Sequence, residues 1–246
     1  MWREALLFWK ISVLKIPTLV AAFLLILFSV FTFMPPFSLP ALLFNYYLTF
    51  SYVVFMSKKY IETEGNPSTF EEATNSPIKF LYSYASETIG VLVAQFLLTL
   101  GAILFALIVF SVGGVWSVIK PLFMGGDVSW TGLVLSLVLS LFVYFSVVTS
   151  FPIFFGRAML RGKGFSQTLS YFLTSLYAEI SWKTILNWDY IKSSAIVSLI
   201  TLCLLVLNLL IAFITPLALL APAVTLLNLY LLYLFGTVAS FRLLRF

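Results

Sequence analysis

One stretch decides the fold: residues 16–57, IPTLVAAFLLILFSVFTFMPPFSLPALLFNYYLTFSYVVFMS, which lie between Lys15 and Lys58 and contain no charged side chain. A helix needs about 20 apolar residues to cross a bilayer, so this stretch has room for two spans. Three prolines interrupt it near its middle: Pro35, Pro36 and Pro40. Because proline removes a backbone donor and clashes with the preceding turn, the pattern predicts a helical hairpin with spans over 17–34 and 39–57.

Two more stretches without charge extend this arrangement. The first, 88–119, predicts a third span, and a fourth follows over 130–155. The loop between them contains Lys120, Pro121, Gly125, Gly126 and Asp127. The second stretch, 193–241, is broken by Pro216 and Pro222, which predicts spans over 193–214 and 217–241.

The overall composition agrees with a membrane protein. Of the 246 residues, 62% are hydrophobic and 9% are charged, and the mean hydropathy is +1.09. A soluble domain carries roughly 25% charged residues, so this chain needs lipid as its solvent. We predict an all-α fold, a single domain over 1–246 formed by six transmembrane helices.

The distribution of Lys and Arg predicts the orientation. Thirteen of the 14 basic residues fall at one end of the predicted spans: Arg3, Lys10, Lys15, Lys58, Lys59, Lys79, Arg157, Arg161, Lys163, Lys183, Lys192, Arg242 and Arg245. Only Lys120 falls at the other end. The positive-inside rule places the rich side in the cytoplasm, so we expect a cell-membrane protein with both termini cytoplasmic. The same rule explains the net charge of +5 better than nucleic-acid binding does, and we expect no nucleic-acid partner.

The residue types exclude several chemistries. Histidine is absent and Cys203 is the single cysteine, so haem b, copper and most zinc sites cannot be built. A serine triad needs histidine, and no H-E-x-x-H, G-x-S-x-G or P-loop pattern is present. Two acidic pairs could bind a metal, although a solvated loop is the favoured interpretation: Glu62 with Glu64, and Glu71 with Glu72. We therefore predict no catalytic residue, no metal and no cofactor.

Four amides are the strongest polar groups of the predicted spans: Asn45, Gln95, Asn208 and Asn228. Pumps and ion-coupled carriers usually keep ionisable residues at this depth, and their absence argues against proton coupling. The amides could line a polar path. Amides in spans more often bond across helices and fix packing, and this is the interpretation we favour.

The two loops between hairpins carry further signals. Ser68, Thr69, Phe70 and Glu71 fit a capping box that would start a short helix. In the second loop six apolar residues recur at helical spacing: Phe165, Leu169, Phe172, Leu173, Leu176 and Ile180. This predicts an amphipathic helix over 165–180 at the membrane interface, with Phe172 and Leu176 facing lipid or a partner. An ordinary helix that only organises the bundle is the alternative. A basic cluster precedes the helix and would meet anionic lipid headgroups: Arg157, Arg161 and Lys163.

Two patterns concern helix packing. Small residues recur four apart at Gly90 and Ala94, Ala102 and Ala106, and Ser136 and Ser140, which allows close approach inside the bundle or against another subunit. Similar strings end three spans: Phe50-Ser51-Tyr52-Val53, Phe145-Ser146-Val147-Val148 and Phe235-Gly236-Thr237-Val238. Chance is one explanation of such matches in a chain rich in Phe and Leu. A true repeat is the other, and it would make the protein three hairpins with cytoplasmic amphipathic connectors.

The segment from Tyr46 to Gln95 resembles a known group. It runs from an aromatic span end through Lys58-Lys59, Gly65-Asn66-Pro67-Ser68, Phe70-Glu71-Glu72-Ala73 and Lys79 to a new span after Gly90. This order resembles multi-pass proteins similar to the membrane domain attached to some glycerophosphodiester phosphodiesterases, and residues 161–166, RGKGFS, resemble the same turn. The resemblance covers about a third of the chain. It implies a six-span bundle without the catalytic domain that such proteins sometimes carry, no specific activity and no functional residue.

Three functional hypotheses follow. The first is a non-catalytic accessory or scaffold subunit of a membrane complex, with membrane lipids and protein subunits as its partners. The second is a transporter or channel for lipids or small apolar solutes, which would not need buried charge. The third, an enzyme acting on lipids at the cytoplasmic face, has the least support because the catalytic patterns are missing.

Overall fold

The computed structural model describes residues 1–112, 115, 130–214 and 218–244. Within them the chain forms ten α-helices: α1 (Trp2–Val13), α2 (Ile16–Phe31), α3 (Ser38–Glu62), α4 (Pro67–Ala73), α5 (Ala85–Val112), α6 (Trp130–Arg161), α7 (Gly164–Thr174), α8 (Glu179–Ile185), α9 (Trp188–Phe213) and α10 (Ala221–Leu243). Two short 3₁₀ turns cover Lys79–Leu81 and Ala218–Leu220. The predicted loop from Lys120 to Asp127, the end of the third predicted span, Pro216 and Arg245 lie outside the described residues.

The helical membrane fold predicted from the sequence is confirmed. Five segments are long and apolar enough to cross a bilayer: Ser38–Glu62, Ala85–Ser111, Trp130–Arg161, Trp188–Phe213 and Ala218–Leu243. Helices α1 and α2 pass the same test only when taken together, with a bend of 73° between them, so the described residues contain five such spans, or six if the bent pair is one span. The predicted hairpins correspond to α2–α3, α5–α6 and α9–α10, and the helices of each pair are in contact.

The corner between α1 and α2 is fixed by a buried hydroxyl network. Thr18 hydroxyl lies 2.5 Å from the Tyr52 hydroxyl and donates to the Ser12 carbonyl. The Ser12 hydroxyl lies 2.8 Å from the Tyr230 hydroxyl. All four side chains are buried, so these bonds satisfy polar groups that would be costly unpaired. They fasten α1 and the start of α2 to α3 and α10.

The second helices of the three hairpins, α3, α6 and α10, form the centre of the bundle and contact one another. Helices α6 and α10 cross where Gly156 faces Gly236. A Cβ on Gly156 would lie 2.7 Å from the Gly236 carbonyl carbon, and a Cβ on Gly236 would lie 2.5 Å from Cβ of Pro152. Ordinary contacts are 3.4–4 Å, so only glycine permits this backbone approach.

Polar contacts gather both chain termini and the connectors at one end of the bundle, which we call the basic end. Glu4 near the N-terminus pairs with Arg242 near the C-terminus at 2.9 Å and accepts a hydrogen bond from Tyr60 at 2.7 Å. Lys15 pairs with Glu71 of the first connector. This common end is what an even number of spans requires.

Three boundaries differ from the sequence prediction. Helix α6 continues past Phe155 to Arg161, because its last turns are buried between α7 and α10. The first connector helix is capped by Asn66, whose side chain accepts from the Ser68 backbone amide at 3.1 Å, so the predicted capping box at Ser68 is wrong. The predicted helix over 165–180 is divided into α7 and α8, with a turn at 175–178.

Candidate functional site

The four intramembrane amides all make hydrogen bonds to other side chains or to the backbone. Asn45 donates to the Ser29 hydroxyl at 3.3 Å, Asn208 to the Thr225 hydroxyl at 2.8 Å and Asn228 to the Thr201 carbonyl at 3.3 Å. Each of these bonds joins two neighbouring helices. Gln95 accepts from the Tyr233 hydroxyl at 2.6 Å, which joins α5 to α10. This placement fits the packing role that is the commoner use of such groups.

The basic cluster of the second loop is divided by the fold. Arg157 lies on α6, half-buried; its Nη1 donates to the Ser175 hydroxyl at 3.2 Å and its guanidinium lies 5.9 Å from the Tyr171 ring centre. Its buried Nε has no hydrogen-bond partner among the described residues. Arg161 and Lys163 are exposed at the basic end. Only Arg157 is therefore held in a defined position.

The two apolar residues singled out in the second loop have different surroundings. Phe172 is completely buried, with its ring centre 6.4 Å from that of Phe155 on α6. Leu176 is 39% exposed and follows the end of α7. Helix α7 packs on α5 and α6, and its buried face is Thr168 with Phe172. The bundle itself therefore covers Phe172, which lies near the middle of the apolar face predicted over 165–180.

Side chains from other helices hold the beginning of α7 and the end of α6. The amide of Gly164 donates to the Glu87 carboxylate at 3.1 Å, and the amide of Phe165 donates to the Ser86 hydroxyl at 2.8 Å. Lys58 donates to the carbonyls of Met159 and Gly162 at 2.9 and 2.7 Å. These contacts satisfy backbone groups that a helix leaves unpaired at its ends, and they fix the connector to α3 and α5.

A lateral groove opens between α5 and α6, with a volume of about 570 Å³. Its α5 wall is Leu98, Gly101, Ala102 and Phe105; its α6 wall is Ser146, Val147, Thr149, Ser150, Phe151 and Phe154. At the basic end it is closed by Leu176, Trp182 and Ile185. Trp182 is fixed there, because its Nε1 donates to the Leu176 carbonyl at 2.7 Å and its ring packs edge-on against Phe154.

The halves of α5 and α6 away from the basic end are largely bare. Only 6% of the most apolar 18 residues of α6 are buried, compared with 56% in α3. The exposed side chains are Phe96, Leu97, Leu100, Ile103, Leu104, Leu107 and Ile108 on α5, and Trp130, Val134, Leu135, Leu137, Val138 and Phe142 on α6. We call this exposed apolar surface the α5–α6 outer face.

Two of the four acidic side chains considered as metal ligands, Glu62 and Glu71, have other partners. Glu62 accepts from Lys59 at 2.6 Å and from the Tyr84 hydroxyl, and Glu71 pairs with Lys15. The pKa of Tyr84 is raised, mainly by burial and to a smaller extent by the hydrogen bond to Glu62. The hydroxyl therefore stays protonated and donates to Glu62. No group of three or more potential metal ligands occurs among the described residues.

Sequence reasoning missed the groove, although its signal was present. Gly101 and Ala102 on α5 and Ser146 and Ser150 on α6 are small residues at the facing walls. The spacing of Ala102 and Ala106 predicts a packing pair, whereas the structure places Ala102 in the groove wall. Which helices face each other is a long-range property, so periodicity along one helix could not reveal the groove.

Comparison with known proteins finds a relative along nearly the whole chain. An uncharacterised protein of Aquifex aeolicus (strain VF5) is 25% identical over 245 residues, which cover 97% of this chain and 90% of the relative. No family model and no solved structure matches. The resemblance to the membrane domain of some glycerophosphodiester phosphodiesterases stays a prediction.

Proposed function

We propose that this chain is a non-catalytic accessory or scaffold subunit of a complex in the cell membrane, with its basic end in the cytoplasm. The observation that carries the proposal is the bare α5–α6 outer face. A subunit of this kind would dock that face against helices of a partner, because close packing of helix surfaces drives association within the bilayer. Protein subunits and lipids would be its partners, and nucleic acid would not.

The two halves of the bundle differ in how closely their helices pack, and this difference supports the proposed function. At the basic end, the centre is closed by the glycine crossing of Gly156 and Gly236 and by buried aromatic rings such as Phe155 and Phe235. The intramembrane amides bond across helices and so stabilise the packed centre. A closely packed core beside the exposed α5–α6 outer face suits a protein that binds a partner.

Crosslinking in intact cells tests the proposal. A photoreactive phenylalanine analogue replaces Val138 on the α5–α6 outer face, and the same analogue replaces Val206 on α9 as a matched control, since the two valines are 55% and 50% exposed. We expect one discrete protein adduct at Val138 and lipid adducts only at Val206. Lipid adducts alone at both positions, with a purified chain that carries no stoichiometric partner in mild detergent, would contradict the scaffold function.

The lateral groove favours a second candidate, a transporter for lipids or small apolar solutes. Its lining is apolar and it opens sideways between two spans, as entry from the bilayer would require. Reconstituted protein should then speed the exchange of a fluorescent phospholipid between leaflets of a vesicle. An exchange rate equal to that of protein-free vesicles would exclude phospholipid transport.

A further inference from the structure

We propose that the groove between α5 and α6 is a resident site for one acyl chain of an anionic phospholipid, whose headgroup is bound by Arg157. The proposal goes beyond the accessory function, since a subunit, a transporter or an enzyme could each hold such a lipid. It rests on the length of the groove, its lining and the charge at its closed end.

The length of the groove matches one leaflet. From Ser146 to Phe154 the α6 wall covers eight helical steps, which is about 12 Å at 1.5 Å per residue. Half of a hydrocarbon core of about 30 Å is roughly 15 Å. The groove begins at Trp182, a residue type that prefers the interface, and therefore extends from the headgroup level towards the middle of the bilayer.

The lining suits a hydrocarbon chain. Leu98 and Phe154 form the bottom of the groove and are 7% and 1% exposed. The hydroxyls of Ser146 and Thr149 donate to carbonyls of their own helix, four residues back, and so present little polarity to an occupant. The volume of about 570 Å³ falls within the roughly 300–1,000 Å³ of typical ligand sites.

Charge at the closed end selects the headgroup. Arg157 lies one turn beyond Phe154 on α6, and it bonds to Ser175, the neighbour of Leu176 in the closing wall. Its Nε is buried and cannot reach a headgroup, so the Nη groups of the half-buried guanidinium would bind it. Guanidinium groups bind phosphate through paired N–H donors, so this arginine fits the phosphate of a lipid whose chain fills the groove.

Photolabelling with two synthetic phospholipids tests the proposal. The full chain is reconstituted in vesicles that contain a trace of phosphatidylglycerol, or of phosphatidylcholine, with a diazirine in one acyl chain. After irradiation, mass spectrometry identifies the labelled peptides. We expect labelling to concentrate on residues 98–105 and 146–154, and to be stronger with phosphatidylglycerol.

Filling the groove should remove this labelling. Gly101→Leu adds a side chain at a position where a Cβ meets nothing within 4 Å, so the fold should tolerate it. Ser146→Leu fills the opposite wall, and Ser140→Leu is its matched control on an exposed part of α6 outside the groove. We expect labelling of the two wall segments to fall about tenfold in the filled variants, which corresponds to about 1.4 kcal/mol, the burial of roughly two methylene groups. The control should label as the wild type does.

A second pair of variants tests the headgroup. Arg157→Gln should abolish the preference for phosphatidylglycerol, whereas Arg157→Lys should retain most of it because the charge remains. Even labelling of all lipid-facing helices, or labelling of the groove that Gly101→Leu does not reduce, would overturn the acyl-chain site. An unchanged headgroup preference in folded Arg157→Gln protein would overturn the assignment of the phosphate to Arg157. Neither result would depend on whether the chain has a partner subunit.

Discussion

The glycine crossing between α6 and α10 yields the sharpest stability prediction. In Gly236→Ala the new Cβ would lie 2.5 Å from Cβ of Pro152, whereas an ordinary contact is 3.4–4 Å. Backbone atoms of Pro152 also lie within the space that the methyl group needs, and a backbone atom cannot turn away as a side chain does. The two helices must therefore separate by about 1 Å, which loses contact energy along the whole crossing.

The expected cost follows from known overpacking effects. Inserting a methyl group into a filled core costs about 1–3 kcal/mol. Replacing glycine by alanine in a helix also contributes about 1 kcal/mol of stability, and this gain must be separated from the strain. Gly101→Ala is the matched control, because it receives the same helix gain at a position where the Cβ meets nothing within 4 Å.

Thermal unfolding of the two variants in the same detergent measures the difference. At roughly 2–4 °C per kcal/mol for a chain of this size, Gly236→Ala should unfold about 2–12 °C below Gly101→Ala. Gly156→Ala should behave like Gly236→Ala, since its Cβ would meet the opposite backbone. If Gly236→Ala and Gly101→Ala unfold at the same temperature, the close approach of α6 and α10 does not exist.

Three further predictions concern other parts of the bundle. Phe172→Ala removes a completely buried ring and should lower the free energy of unfolding by about 3–5 kcal/mol. The exposed control Ser170→Ala should change this free energy by less than about 0.5 kcal/mol. Equal unfolding temperatures for the two variants would show that α7 is not packed on the bundle. Asn208→Leu should lower the free energy of unfolding by only about 0.6 kcal/mol, the average for a hydrogen bond between spans. It should also leave the ion leak of reconstituted vesicles unchanged. An altered leak would indicate that Asn208 lines a polar path. The purified chain should show no haem absorbance and no stoichiometric copper or zinc by elemental analysis, because the sequence has no histidine and one cysteine. A haem spectrum retained by the isolated chain would refute this prediction.

The positions of the spans could be predicted because hydropathy and proline act locally. The prediction over 193–214 corresponds to the helix Trp188–Phe213, and that over 17–34 corresponds to Ile16–Phe31 with the turn that follows. Absence of charge marks the apolar segment. The helix ends differ from the predicted ends by several residues. A helix continues beyond the apolar segment wherever its polar turns make contacts, as α3 does when it continues to Glu62.

The contacts between helices could not be read in the same way. The Gly156–Gly236 crossing joins residues 80 positions apart, and the sequence shows them only as two glycines, one of them noted within a repeated string. Charge usually ends a span, which predicts a loop at Arg157, yet this residue lies within α6 and bonds to Ser175. The groove likewise depends on how α5 and α6 diverge. Each of these features depends on which helix faces meet, and the residue pattern along one helix does not identify the helix packed against it.

We propose a six-span bundle whose basic end, with both termini, lies in the cytoplasm. Single cysteines introduced in a Cys203→Ser background and treated with a membrane-impermeant maleimide in sealed cells test it most directly. We expect labelling from outside at Pro36 and Leu219, and protection of Glu71 and Lys163 until the cells are opened. External labelling at Glu71 or Lys163 in sealed cells would contradict this topology.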